Sequence, residues 1–222
     1  MPLSIAMDGP VGAGKSTIAD AVAARLGILH LDTGAMYRAL GLTALRRGLD
    51  LQDEAAVTAL CLRTEFSVRY GEKGQITLVD GEDVTGELRT EQVSMAASTV
   101  SRYAGVRKAM VSIQQKLARE TDMLLDGRDI GTVVLPNATA KIFLTAAAEE
   151  RAMRRWRELQ AKGAPDTFEQ VLADLKQRDD QDMNRAVTPL RCADDAITVD
   201  TTHLSFDETV ETILKIVEEA KK

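Results

Sequence analysis

The sequence predicts an α/β protein whose mostly parallel sheet is covered by helices on both faces, and three observations carry the prediction. Short apolar runs that end in charged loops alternate with helical stretches along most of the chain, as expected of strands buried on both faces. One of these runs, Leu3 to Met7, leads into Gly9-Pro10-Val11-Gly12-Ala13-Gly14-Lys15-Ser16, a Gly-x-x-x-x-Gly-Lys-Ser phosphate loop that opens an apolar-periodic helix. At 222 residues the chain is long enough for one large domain with insertions and too short for two full domains.

The loop predicts a nucleoside triphosphate ligand. Successive backbone N–H groups must point inward around a phosphate, which requires angles and close approaches that a Cβ would block. Lys15 would bridge the β- and γ-phosphates and the Ser16 hydroxyl would coordinate Mg²⁺. The helix through Ile18, Ala21, Val22 and Leu26 adds its positive dipole end. The triphosphate-binding stretch is expected to begin at Gly9 and run through Ser16.

Each further element has its own signal. Gly27 caps the first helix, Ile28 to Leu31 reads as a short buried strand, and Asp32-Thr33-Gly34 as a turn. Met36 to Arg47 and Glu54 to Leu62 read as helices, the first stopped by Gly48. The period then changes: Phe66, Val68 and Tyr70 alternate with polar residues, Gly71 to Gly74 supplies a turn, and Ile76, Leu78 and Val84 continue the alternation. This is a small antiparallel insertion. Glu91 to Val100 is helical in composition, and Val106, Met110, Ile113 and Leu117 mark a long amphipathic helix. Met123-Leu124-Leu125 and Ile142-Phe143-Leu144 are compact strands, the first ending in Asp126-Gly127-Arg128-Asp129. An arginine-dense helix spans Glu149 to Lys162. Asp166-Thr167-Phe168-Glu169 reads as a capping box for a helix that buries Phe168, Val171, Leu172 and Leu175. Ile197 to Val199 is a last strand, and a helix from Ser205 closes the chain. Ligands of such a sheet sit beyond its C-terminal strand ends, where the loops at Asp8, Asp32, Asp126 and Asp129 are expected to converge.

Bulk properties exclude several functions. The net charge of -6 argues against a polyanion-binding surface, so no nucleic-acid polymer is expected as partner. Cys61 and Cys192 are the only cysteines and lack metal-ligand spacing, which speaks against a disulfide framework or zinc site. No window reaches the length of a membrane span and no leader pattern is present, so a soluble protein of a reducing compartment is expected. The two histidines are isolated, leaving histidine acid–base catalysis without support.

Basic residues gather in separate loops. Arg178, Asp182 and Arg185, at intervals of four and three, would share one helix face. Arg151, Arg154, Arg155 and Arg157 surround Trp156. Arg38 follows Asp32-Thr33-Gly34, and Arg128 and Asp129 adjoin the expected ligand crevice. Transfer of a phosphoryl group onto a second phosphate brings two anions together and needs cations beyond the loop lysine, whereas a hydrolase using water would not need so many.

On these residues the chain resembles the bacterial cytidylate kinases. The match lies in Gly9 to Thr17, Asp32-Thr33-Gly34-Ala35-Met36-Tyr37-Arg38, Gly81 to Arg89, Asp126 to Val134, Lys141 to Leu144 and Arg178 to Arg185, in order along essentially the whole chain. The resemblance implies a nucleoside monophosphate kinase of P-loop NTPase type, with a five-stranded parallel sheet flanked by helices. It implies one domain over residues 1–222: a core of about 1–40, 103–150 and 190–222, an insertion of about 41–102 that binds the nucleoside monophosphate and is strand-rich over 65–86, and a lid of about 150–165. The implied reaction passes the γ-phosphoryl of ATP, with Mg²⁺, to CMP or dCMP in pyrimidine metabolism.

By the same resemblance, Lys15, Arg128, Arg185 and a lid arginine, Arg154 with Arg151 and Arg157 as alternatives, act on the transferring phosphoryl group. Arg38, Arg128 and Arg185 hold the acceptor phosphate, with Thr33 standing where relatives often have serine. Ser98, Arg107 and Asp129 read cytosine, and Arg178 and Asp182 the sugar hydroxyls. Asp8, Asp32 and Asp126 are candidates to support Mg²⁺ or simply to cap strand ends. No general base is expected, because the attacking oxygen belongs to an ionised phosphate. A cytoplasmic monomer is expected. Two other readings stay open on sequence: another small-molecule kinase of the fold, acting on shikimate or dephospho-coenzyme A, and a nucleotide-dependent switch, whose guanine-reading Asn-Lys-x-Asp version lacks its motif.

Overall fold

The apolar runs of the sequence become the strands of one sheet. In the computed structural model, which describes residues 2–72, 74–161 and 163–222, β1 (Ser4–Asp8), β2 (Leu29–Asp32), β6 (Met123–Gly127), β7 (Ala140–Thr145) and β8 (Ile197–Asp200) lie in the order β2-β6-β1-β7-β8. Two sequence expectations touch positions outside the described residues, Lys73 in the turn before Gly74 and Lys162 at the end of the arginine-rich helix and within the lid stretch. The backbone divides into two units, Met1–Leu29 with Asp122–Lys222, and His30–Thr121.

In the first unit β1 is central. It pairs in parallel with β6, Met7 opposite Asp126 and Asp8 opposite Gly127, and with β7, Asp8 opposite Phe143. This register brings Asp8 and Asp126 together at the C-terminal end of the sheet. Helices α1 (Lys15–Leu26) and α8 (Phe206–Ala220) cover one face, where Ile18, Val22, Val210 and Ile213 pack on Ile5, Met7, Leu124 and Ile142. Ala6 and Leu125 are fully buried as well, so the sheet is enclosed on both faces, as parallel strands require. Helices α6 (Ala148–Ala161) and α7 (Phe168–Asn184) build a separate small core of Ala152, Val171 and Leu175.

The α7 capping box sits one residue later than the sequence reading places it. Thr167 is the N-cap, its hydroxyl accepting from the Gln170 N–H while the Gln170 side chain accepts from the Thr167 N–H. Ser205, where the last helix is expected to start, is the N-cap of α8 and forms a capping box with Glu208.

The second unit holds α2 (Thr33–Arg46), α3 (Glu54–Arg63), the antiparallel strands β3 (Phe66–Gly71), β4 (Gly74–Val79) and β5 (Glu82–Asp83), then α4 (Glu91–Val100) and α5 (Ala104–Glu120). Helix α5, assigned to the core on sequence, groups here. Asp32-Thr33-Gly34 is no free turn: Asp32 is the N-cap of α2 and accepts from the Ala35 N–H, so the helix starts at Thr33. Gly41 lets α2 approach α4 closely, since a Cβ there would stand 3.0 Å from the Ala96 Cβ. The buried stripe of α5 is Val106, Met110, Gln114 and Ala118, not the Ile113 and Leu117 line, and Arg107 is buried beside it.

Candidate functional site

In the first unit the phosphate loop is shaped from both sides. A Cβ on Gly9 would collide with the Leu144 carbonyl oxygen, so the loop leaves β1 pressed against β7, and Gly12 and Gly14 take left-handed angles of φ 73° and 83°. Pro10, Val11 and Ala13 fill the intervening loop positions. Gly14 is the N-cap of α1 and no acidic residue stands in that helix's first turn, which leaves its positive end to an anion. Thr17, beyond Ser16, is exposed.

Lys15 folds back over the loop, its Nζ donating to the carbonyls of Gly9 and Pro10 at 2.8 Å each. Burial pushes its pKa down to about 7, the nearby Arg128 guanidinium adds to the depression, and Asp126, Asp182 and Asp8 oppose it. The Ser16 hydroxyl donates to Asp126 Oδ2 at 2.9 Å. Of the three aspartates expected near Mg²⁺, the two in this unit therefore differ. Asp126 faces the loop serine, whereas Asp8 accepts from the N–H groups of Ile130 and Gly131 at 2.8 and 2.7 Å and so caps the π-helical turn Ile130–Val134. Burial pushes the Asp8 pKa up to about 6 against those two hydrogen bonds.

Beside the loop lies a chain of alternating charges. Arg128 Nε donates to Asp182 Oδ2 at 2.7 Å, Arg185 stands 4.0 Å from Asp182 Oδ1, and Arg185 is 3.7 Å from Asp129. Arg185 does not share the helix face of Arg178 and Asp182. Helix α7 ends at Asn184, and Arg185 is its C-cap in extended conformation, its Nε donating to the Thr188 carbonyl at 2.6 Å. The structure thus couples Arg185 to Asp129 and Asp182 to Arg128, while Arg178 stays half-buried on α7.

The arginines of α6 separate by environment. Arg151 is buried and bonded to the Val11 carbonyl and to Asp179. Arg154 donates to both the hydroxyl and the carbonyl of Thr201, beyond β8. Arg157 is exposed.

The second unit holds two further groups. Arg38 NH2 donates to Asp32 Oδ2 at 2.6 Å across Gly34, where a Cβ would stand 3.0 Å from Arg38 NH1. Gln75 of β4 grips the main chain of Asp32, accepting from its N–H at 2.7 Å and donating to its carbonyl at 3.3 Å. Thr33 is buried beside them. The other group is Arg107, buried on α5, with its guanidinium 5.5 Å from the centroid of the Tyr37 ring and NH1 donating to the Ser101 carbonyl. Ser98 is half-buried one turn before, and its carbonyl accepts from the Ser101 hydroxyl.

Sequence reasoning gave no role to Gln75, Tyr37, Asp179 or Thr201. Asp179 carried a usable signal: it lies four residues after Leu175 and eight after Val171, on the apolar stripe of α7, and a carboxylate there demands a buried partner. Gln75 and Thr77 alternate onto one face of β4, where the Gln75 amide donates to the Thr77 hydroxyl at 3.2 Å. Nothing local marks Thr201.

A family model described as cytidylate kinase matches residues 5–219. Curated relatives named cytidylate kinase come from Bacillus velezensis, 50% identical over 99% of this chain and 98% of its own length, and from Desulforamulus reducens, 49% identical over 98% and 97%. The relative from Caldicellulosiruptor bescii, of the same name, is 47% identical over 96% and 95%. Among solved structures, a shikimate kinase from Bacteroides thetaiotaomicron aligns at TM-score 0.50 with 12% identity, covering 97% of this chain and 98% of its own, a likeness of fold alone.

Proposed function

This chain belongs to the cytidylate kinase family; it is a phosphotransferase that passes a phosphoryl group from ATP to CMP or dCMP, and we propose how its residues divide that work. The phosphate loop, Gly9 to Thr17, binds the donor. Ser16 and Asp126 offer two oxygen donors side by side, a set suited to an ion that takes its remaining ligands from phosphates and water. They would hold Mg²⁺, which would supply positive charge against that of the phosphates.

The observation that carries the proposal is the chain Arg128, Asp182, Arg185, Asp129, set close enough to Lys15 for Arg128 and Asp182 to act on its charge. Two guanidiniums held by two carboxylates form a preorganised cradle for a phosphate dianion. Their arrangement precedes the substrate, so no reorganisation is needed as charge moves from donor to acceptor. Lys15 leaves the loop carbonyls to follow the γ-phosphoryl group. The acceptor oxygen is already ionised, so no residue has to take a proton from it.

Arg38 and Thr33 add contacts to the acceptor phosphate. Ser98, Arg107 and Asp129 read the cytosine edge, and Arg178 the sugar. Asp182 faces both arginines, which supports a role in holding them in addition to any contact with ribose. Arg154 supplies the lid cation on leaving Thr201, and exposed Arg157 is the alternative. No helix among the described residues is long and apolar enough to cross a membrane; the proposal includes a monomer acting in the cytoplasm without a nucleic-acid partner.

Acceptor-dependent release of ADP in the presence of Mg²⁺ tests this reading. CMP and dCMP should elicit it and appear as CDP and dCDP, whereas shikimate, dephospho-coenzyme A and buffer alone should not. Slow ADP release that no acceptor accelerates would instead support a nucleotide switch.

A further inference from the structure

The buried ion pair between Arg151 of α6 and Asp179 of α7 encloses one residue of the phosphate loop. Asp179 Oδ1 accepts from the Val11 N–H at 3.3 Å, and Asp179 Oδ2 accepts from Arg151 NH1 at 2.7 Å. The same NH1 donates to the Val11 carbonyl at 2.8 Å, while Arg151 Nε is anchored on the Ala146 carbonyl at 2.9 Å. Both polar groups of Val11 are therefore captured by two side chains that are only 7% and 11% exposed.

Apolar contacts reinforce the grip. The Val11 side chain packs against the cluster of Ala152, Val171 and Leu175. At Gly12 a Cβ would stand 3.2 Å from Leu175 Cδ1 and 3.4 Å from Arg151 Cβ, so the outer surface of the loop rests directly on the two helices.

We infer that Arg151 and Asp179 are positioning residues for the donor site: by fixing the Val11 peptide groups from outside, they make the α6–α7 hairpin set the shape of the loop that receives the ATP phosphates. The physical case rests on what this pair supplies that an apolar pair would not. A buried ion pair is a poor stabiliser, since desolvation offsets most of its attraction and well-packed apolar residues of similar size serve equally well. What it adds here is direction. One acceptor and one donor, held rigidly to each other, fix the rotation of the peptide groups flanking Val11 and hence the aim of the N–H groups that follow. Donor-site amides aligned in advance bind phosphate without an ordering cost. The Val11 N–H itself points at Asp179, so Val11 contributes shape to the site. Arg151, one of three arginines considered for the lid, acts from beneath the loop.

The inference rests on the reading of this loop as the ATP site, and the experiment separates the two. The double variant Arg151→Met/Asp179→Leu replaces the pair with apolar side chains of similar length. A merely structural pair predicts a variant indistinguishable from the parent. A positioning pair predicts a melting temperature within a few degrees of the parent, ATP binding weakened about tenfold by calorimetry, and a KM for CMP changed less than about twofold at saturating ATP. Parent-like ATP affinity, or equal losses for ATP and CMP, overturns the inference while leaving the donor site in place. A parent that binds no ATP overturns both. If the double variant does not fold, Arg151→Lys and Asp179→Asn take its place. Lysine keeps the charge but cannot serve Ala146, Val11 and Asp179 with one fork, so ATP binding should weaken about threefold or more; unchanged affinity in both single variants overturns the inference.

Discussion

Lys15 meets two opposed demands, since the cation proposed to follow the migrating phosphoryl group is buried at a cost. Its pKa lies at about 7 in the folded protein against 10.5 ordinarily. Between those values the unfolded chain binds more protons than the folded one, so this residue makes stability rise with pH from about 7 upward, and below pH 7 the full cost of the buried ammonium is present. Lys15→Met should therefore lower kcat on the order of a hundredfold or more and yet, without nucleotide, melt no lower than the parent at pH 7. The parent should gain on the variant between pH 7 and 9, which paired thermal melts would read. Asp182 is the second case at this scale. Because its carboxylate faces both Arg128 and Arg185, Asp182→Ala should reduce kcat/KM about tenfold or more for CMP and dCMP alike. A loss confined to CMP would place its role at the 2′-hydroxyl instead.

Among the elements, the antiparallel hairpin has a job that its distance along the chain conceals. Gln75 of β4 holds the Asp32 main chain, Asp32 caps α2, and the same carboxylate holds Arg38. The strands thus steady an arginine proposed for the acceptor phosphate. Gln75→Leu is expected to raise the KM for CMP about threefold to tenfold, in keeping with the loss of one or two hydrogen bonds, while the KM for ATP stays within twofold; a matching rise for ATP would mean general loosening. Elements whose signals are local were legible in the sequence: the phosphate loop, the Gly27 cap, the β3–β4 alternation and the start of the last helix at Ser205 all read directly. Reasoning by helix phase failed where a helix stopped or a polar residue was buried. It put Arg185 on the face of Asp182, though the chain leaves α7 at Asn184, and it missed that Gln114 and not Ile113 lines the buried side of α5. The pairs Arg151–Asp179 and Gln75–Asp32 could not be read, because packing and not spacing chooses partners 28 and 43 positions apart.

For the molecule as a whole, sequence and structure contribute different parts of the account. The residue types needed for phosphoryl transfer to a phosphate were visible in the chain, down to the separate loops that carry the arginines. Which carboxylate holds which arginine emerged only with the fold, as did the contrast between Asp126, facing Ser16, and Asp8, spent on the amides of Ile130 and Gly131. The central claim is that these charges serve a kinase selective for cytosine nucleotides. Cytosine offers an amino donor and two acceptors, which a carboxylate and a guanidinium can match, whereas uracil would present O4 and N3–H to Asp129 and Arg107, the pair proposed to read the base. Leaving such charged groups unpaired corresponds to discrimination of about a hundredfold. The most direct measurement is kcat/KM by ADP release with CMP, dCMP, UMP, AMP and GMP. The account predicts efficient use of CMP and dCMP, UMP lower by about two orders of magnitude, and negligible turnover of the purines; UMP or AMP used as well as CMP would contradict it.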